Sequence, residues 1–236
     1  MSAAIITIMT MTTITTTTDT LRLLAWLSPA FPTGGYAWSH GIEWAVETRQ
    51  IHDGASLQQW LDAILRHGAG RNDAILLRHA HRAAADIDTL TGITELALAT
   101  SPSRERRAET IGQGNAFAAA AKPWGHPILT DLAARVGDIP YPVAVGALAG
   151  AACLDEDATC AGTLQAFAAN LISAAVRLVP LGQSTGLAVL AALEPTVAEV
   201  AAETSSATLE NLGGACFLSD IAAMRHETQY TRLFRS

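Results

Sequence analysis

The histidines and carboxylates of this chain are the residues with the types for acid–base or metal chemistry. His40 and Glu43 are three apart, so on one helical turn they would share a face. That spacing suits an acid–base pair, and equally a hydrogen bond at a surface or an interface. His226-Glu227 opens like a zinc-hydrolase motif, but Tyr230 stands where the second histidine belongs. The pair therefore reads as a structural or interface element. His79 and His81 are two apart, which on a helix separates them by about 200°. His52-Asp53 is a loop pair of no evident purpose. Gly182-Gln-Ser-Thr-Gly186 resembles a phosphate loop without its lysine, and neither a complete nucleotide-binding loop nor a GxSxG elbow occurs. Cys153, Cys160 and Cys216 form no CxxC pair and read as small buried thiols of a reducing compartment. No closed ligand set emerges, so no catalytic, cofactor or metal residue is assigned.

Two stretches have a composition that helical packing alone does not explain. Ser28 to Gly41 places Phe31, Tyr36 and Trp38 among prolines and glycines. Those aromatics either plug a core or meet a partner. At the other end, residues 227–236 carry Tyr230, Arg232, Leu233, Phe234 and Arg235 with no periodic core face. Tyr and Arg are the types that anchor protein interfaces, so this segment reads as a docking tail.

The elements that must position these residues are helical. Half of the 236 residues are hydrophobic and 16% are charged, which excludes a disordered chain. Alanine dominates the apolar fraction while aromatics make up 6%, a composition for closely packed helices. Net charge is −7 and Lys122 is the sole lysine, so nucleic acid is a poor partner. The Thr-rich stretch 1–19 reads as a disordered or strand-prone extension and lacks the features of a secretory signal. No run is long and uninterrupted enough to suggest a membrane span: Arg177, Pro180 and Gln183 break the stretch Leu171–Leu193. A cytoplasmic location is expected.

Helix signals fill the rest. A first helix starts near Asp19 as N-cap and ends at Ser28-Pro29. A second covers about Ser39 to Thr48. Ser56 and Gln59 form a capping box, and Gly68-Ala-Gly70 breaks the helix that follows. Ser101-Pro102 begins another, Gly137 closes one over 129–136, and Pro142 opens the next. There Gly146, Ala147, Gly150 and Ala151 share a face, which predicts a close contact between two helix backbones. Leu164, Phe167, Leu171, Ala174 and Leu178 repeat at helical spacing up to Pro180. A helix over 185–193, a capping box at Thr196 and Glu199, and a last helix over 209–226 complete the series. The expected architecture is an all-α, single-domain compact bundle of about eight to ten helices without significant sheet, covering residues 20–236.

Three stretches carry a resemblance to a known family. Ser28-Pro-Ala-Phe-Pro-Thr-Gly-Gly-Tyr-Ala-Trp-Ser-His-Gly-Ile-Glu43 is similar to the SPALPVGAFSYSQGLE pattern of the urease accessory protein F family. Val176-Arg-Leu-Val-Pro-Leu-Gly-Gln183 and the terminal segment from Asp220 to Ser236 match its other two signatures. Phe31, Thr33, Tyr36, Trp38 and His40 depart from the pattern but keep bulk and aromaticity, except that His40 changes a hydrogen-bonding group. The resemblance implies a non-catalytic, all-helical accessory subunit that forms homodimers and binds the accessory protein called D or H. That pair recruits the G-protein of the same system, and the assembly couples GTP hydrolysis to nickel insertion into apo-urease. It also implies that nickel is handled by the assembled complex, with no cofactor held by this chain. Tyr36, Trp38, His40, Glu43, His226, Glu227, Tyr230, Arg232, Leu233 and Phe234 are the expected partner-binding residues. A generic helical binding module, or a helical metal-dependent enzyme using His40 and Glu43, are the alternatives.

Overall fold

The computed structural model describes residues 16–236, so most of the Thr-rich extension lies outside the described residues. Its last residues belong to the first helix. Thr16, not Asp19, is the N-cap of α1 (Thr17–Trp26), and Asp19 reaches back to complete a capping box. An aspartate three residues into a helix is as good a reciprocal partner as a cap, which is why the start lies earlier than expected.

The remaining helices are α2 (Ile42–Glu47), α3 (Gly54–His67), α4 (Ala69–Arg82), α5 (Ile87–Ala99), α6 (Arg104–Ala120) and α7 (Ile128–Val136). They are followed by α8 (Tyr141–Ala151), α9 (Glu156–Leu178), α10 (Gly182–Ala192), α11 (Glu194–Glu203) and α12 (Phe217–His226). No strand occurs among the described residues. Single residues, Gly68 and Leu193, separate α3 from α4 and α10 from α11. Counting each pair as one bent helix gives ten among the described residues, within the expected range.

Several boundaries differ from the sequence reading for identifiable reasons. Asp53 caps α3 and Ser56 is its reciprocal partner, so the box sits one turn earlier than Ser56–Gln59. Ser103 caps α6, because its hydroxyl rather than that of Ser101 reaches the Arg106 amide. Thr196 caps nothing: it lies inside α11 and donates to Asp62 at 2.6 Å. The expected last helix is split. A 3-10 turn over Leu209–Asn211 and the Gly213-Gly214 step precede α12. The second helix starts at Ile42, after a 3-10 turn over Gly35–Ala37.

At the centre, α8 is apolar on every side and buried from Pro142 to Ala149. It packs against α4, α5, α6, α7 and α9. Its contact with α4 is the close one expected from the small-residue face. A Cβ at Gly146 would overlap the carbonyl oxygen of Leu77, and one at Gly150 that of His81. Beside this seam, Phe117 meets Trp26, Phe31 and Tyr141 at ring separations of 6.2, 5.3 and 5.8 Å. Phe31 therefore plugs the core. Arg78, fully buried on α4, is neutralised by Glu156 and Asp157 of α9 at 2.6 and 2.7 Å. By length and apolar content α9 and the stretch Gly182–Ser206 could cross a membrane, but half of the α9 window is buried inside this body.

Candidate docking site

Residues 227–236 do not fray. They fold back along the loop before α2 and are fastened to it by backbone bonds. The Arg235 amide donates to the Ala37 carbonyl at 2.9 Å, and the Ser39 amide to the Ser236 carbonyl at 2.8 Å. The Ser39 hydroxyl also donates to Ser236 O. His40 and Gly41 sit in the left-handed region, at φ of 62° and 80°. That turn carries the chain directly under α12. A Cβ at Gly41 would come within 2.7 Å of the Ala223 amide nitrogen, so glycine is required there on both counts.

Glu43, in the first turn of α2, is the anchor of the tail. Its carboxylate accepts the amides of Leu233 at 2.7 Å and Phe234 at 3.0 Å. It also faces Nε2 of His226 at 3.1 Å, while Nδ1 of His226 lies 2.7 Å from Glu105 of α6. Arg232 reaches the other oxygen of Glu105 at 3.0 Å. His226 is completely buried. Both its nitrogens face carboxylate oxygens, and only a doubly protonated ring donates at both. In that form the two carboxylates meet two cations, so the buried cluster is charge-balanced.

A second cluster lies one turn along α6. The Glu109 carboxylate faces Arg106 at 3.0 Å, His40 at 3.4 Å, Gln113 at 3.3 Å and the Ser236 hydroxyl at 3.5 Å. Burial pushes the Glu109 carboxyl above the ordinary range and the Arg106 guanidinium below it. Arg177, near the end of α9, closes the arrangement. Its guanidinium stacks over the Phe234 ring at 4.3 Å and donates to the Tyr36 carbonyl at 2.9 Å. The three stretches that carried the resemblance are far apart along the chain, yet they meet here.

The sequence-derived site residues divide into two groups. Trp38, His40, Glu43, His226 and Phe234 are buried and hold the loop and tail to the body. Tyr36, Tyr230 and Leu233 are exposed, at 72%, 103% and 65% respectively, and Arg232 is partly so. Glu227 accepts the Arg104 amide at 3.0 Å, at the start of α6. His40 and Glu43 do not act together: the left-handed turn at His40 sends one to Glu109 and the other to His226. Glu105, Glu109 and Arg177 were missed. The repeat Glu105, Glu109, Gln113 every four residues on one helix was the available signal. Elsewhere, His79 and His81 face separate backbone carbonyls, and Cys153 is exposed rather than buried. Among the described residues no group of three or more histidines, cysteines or carboxylates is arranged to hold a metal ion.

The profile of the UreF family matches residues 51–194, the helical scaffold from the loop before α3 into α11. Similarity to whole relatives extends further. The chain is 50% identical to the urease accessory protein UreF of Methylorubrum populi over 220 residues, 92% of this chain and 98% of that protein. It is likewise 50% identical over 218 residues to UreF of Bradyrhizobium sp. strain BTAi1, 91% of each. The chain belongs to the UreF family of urease accessory proteins. UreF of Brucella ovis adds a relative at 48% identity over 216 residues. A UreF protein is a helper of urease rather than an enzyme, so the clasp of Glu43, His226, Glu105 and Arg232 is read as structural, not as a catalytic set.

Proposed function

We propose that this chain is the adaptor of a cytoplasmic urease-maturation assembly. It docks the D/H accessory protein and the G-protein GTPase, forms a homodimer within the complex, and modulates GTP hydrolysis as nickel is inserted into apo-urease. Nickel is handled by the assembly rather than by a cofactor site on this chain. An adaptor regulates a GTPase by binding one of its conformations better than the other, which shifts the population.

One observation supports this reading above the rest. Phe217, Leu218, Ile221 and Met224 on one side of α12 are exposed, and the clasped tail adds Tyr230 and Leu233, also exposed. The two sets are linked by a backbone that Glu43 and Ser39 hold in place. An apolar ridge with Asp220, Arg225 and Arg232 around it has the anatomy of a protein interface. Co-expression with the D/H and G-proteins tests it. Replacing Phe217, Ile221 and Tyr230 by serine should abolish co-purification while the helical circular-dichroism signal is retained. Undiminished capture of both partners by that variant overturns the assignment.

A further inference from the structure

A cavity of about 630 Å³ lies between the loop 28–36 and helices α4, α6, α8 and α9. It borders the Glu109 cluster and Asp220, but the docking reading makes no use of its interior. Its size is that of a small-molecule site. Its walls combine the Phe31 and Phe167 rings with the polar groups of Asp73, Thr110, Tyr141 and Asn170.

Asp73 is the unusual member. It stands on α4 one turn before Leu77, partly buried, and lines the cavity. Among the described residues no hydrogen bond reaches its carboxylate. A carboxylate that faces a cavity and accepts no hydrogen bond from the protein is solvated only by what occupies that cavity. The cations that line the same cavity are engaged elsewhere: Arg106 and His40 both face Glu109. The charged and titratable groups that line the cavity with Asp73 include Glu109 and Arg106 of α6, Tyr141 of α8, Asp220 of α12 and His40 of the loop. Two carboxylates, Asp73 and Asp220, remain without a hydrogen-bonded cation.

We propose that this cavity binds a small organic cation whose N–H groups donate to Asp73, an ammonium or guanidinium compound seated between the aromatic walls. The charge deficit asks for a cation, and the orphan acceptor asks for donors. The aromatic walls add apolar surface for the carbon skeleton of such a ligand. A bare metal ion would fill a small part of the volume, and no three-ligand set is present among the described residues. Burial and the Glu109 charge push the Asp73 carboxyl up to about 7, so the anion that attracts the ligand forms across neutral pH.

Calorimetric titration of the full chain with methylguanidinium and propylammonium, at pH 6 and pH 8, tests the assignment. Both should bind about tenfold more tightly at pH 8, since the anionic fraction of a group titrating near 7 rises by about that factor. Tetramethylammonium, a cation without N–H donors, should bind at least tenfold more weakly. Asp73→Asn should lose both the binding and its pH dependence. Independently of any variant, the carbon resonance of the Asp73 carboxyl in the unaltered protein should show a lower titration midpoint when methylguanidinium is present. Equal binding by Asp73→Asn, equal binding of tetramethylammonium, an unmoved midpoint, or preferential binding of zinc chloride would each overturn the proposal. None of these outcomes depends on partner capture.

Discussion

The α4–α8 seam and the Glu43–His226–Glu105 centre of the tail clasp are both buried, yet they are held by opposite means. The seam is made by absence. Gly146 and Gly150 remove side chains so that α8 can lie against the carbonyls of Leu77 and His81. Its strength is close packing, which has no direction and tolerates no added volume. The clasp is made by directed charge: His226 bridges Glu43 and Glu105, and Glu43 also accepts two tail amides. Its parts lie 183 residues apart along the chain. A seam of this kind sets the shape of the scaffold. A clasp of this kind fixes one segment on a scaffold that would stand without it.

Four substitutions probe that contrast, in descending order of effect. Gly146→Val drives a branched side chain into the Leu77 carbonyl and should cost about 4 kcal/mol or more in urea denaturation. A loss below about 1 kcal/mol would show that the seam yields, and the contrast would fail. Glu43→Ala leaves His226 facing one carboxylate and strands two tail amides. Removing one partner of a buried ion pair costs about 3–5 kcal/mol. Here the loss should be local, with hydrogen exchange rising at residues 228–236 and the helical signal unchanged. Global unfolding would mean that the clasp is part of the scaffold after all.

Asp73→Asn tests α4 between the two regions, and its sign depends on pH. The folded Asp73 carboxyl titrates near 7, above its ordinary 3.8. Below about pH 4 it is protonated in both states and costs nothing. As pH rises through 4 to 7 the unfolded chain releases its proton first, so the native protein loses stability, and the loss is complete above about 7. Asparagine removes that loss. The variant should gain about 1–3 kcal/mol at pH 8 and nothing at pH 4, measured as thermal midpoints without added ligand. A pH-independent difference would refute the raised titration of this carboxyl. The smallest effect is the control for the seam. Nothing lies within 4 Å of a Cβ at Gly92, so Gly92→Ala should stabilise α5 by at most about 1 kcal/mol. If it destabilised, helix glycines here would matter for some reason other than close approach.

The helical elements were legible because their signals are local. The 3- and 4-residue spacing from Leu164 to Leu178 and the stop at Gly137 both match the structure. The small-residue face of α8 was legible too, since a run of glycine and alanine states its purpose whatever the partner. Helix starts were read less well. Asp19 and Ser56 are the reciprocal members of capping boxes whose caps are Thr16 and Asp53. Several residues can bond the first amides, and composition does not say which one does. The site was legible only in part. The resemblance pointed to the loop, the tail and the stretch that holds Arg177, while Glu105 and Glu109 lie in a helix whose four-residue repeat marks a face but does not say what that face meets.

Composition, spacing and caps determined that this chain would be helical, that α8 would be a central helix packed through its small residues, and that the chain carried no recognisable catalytic motif. Those properties follow from forces that act over a turn or two of chain. The tertiary structure decided which residues of the loop and tail are anchors and which face solvent. His226 and Phe234 turn inward while Tyr230 and Leu233 turn outward within the same short segment. That division depends on carboxylates delivered by α2 and α6, and the pairing of buried charges over such distances is settled only when the helices that carry them have packed.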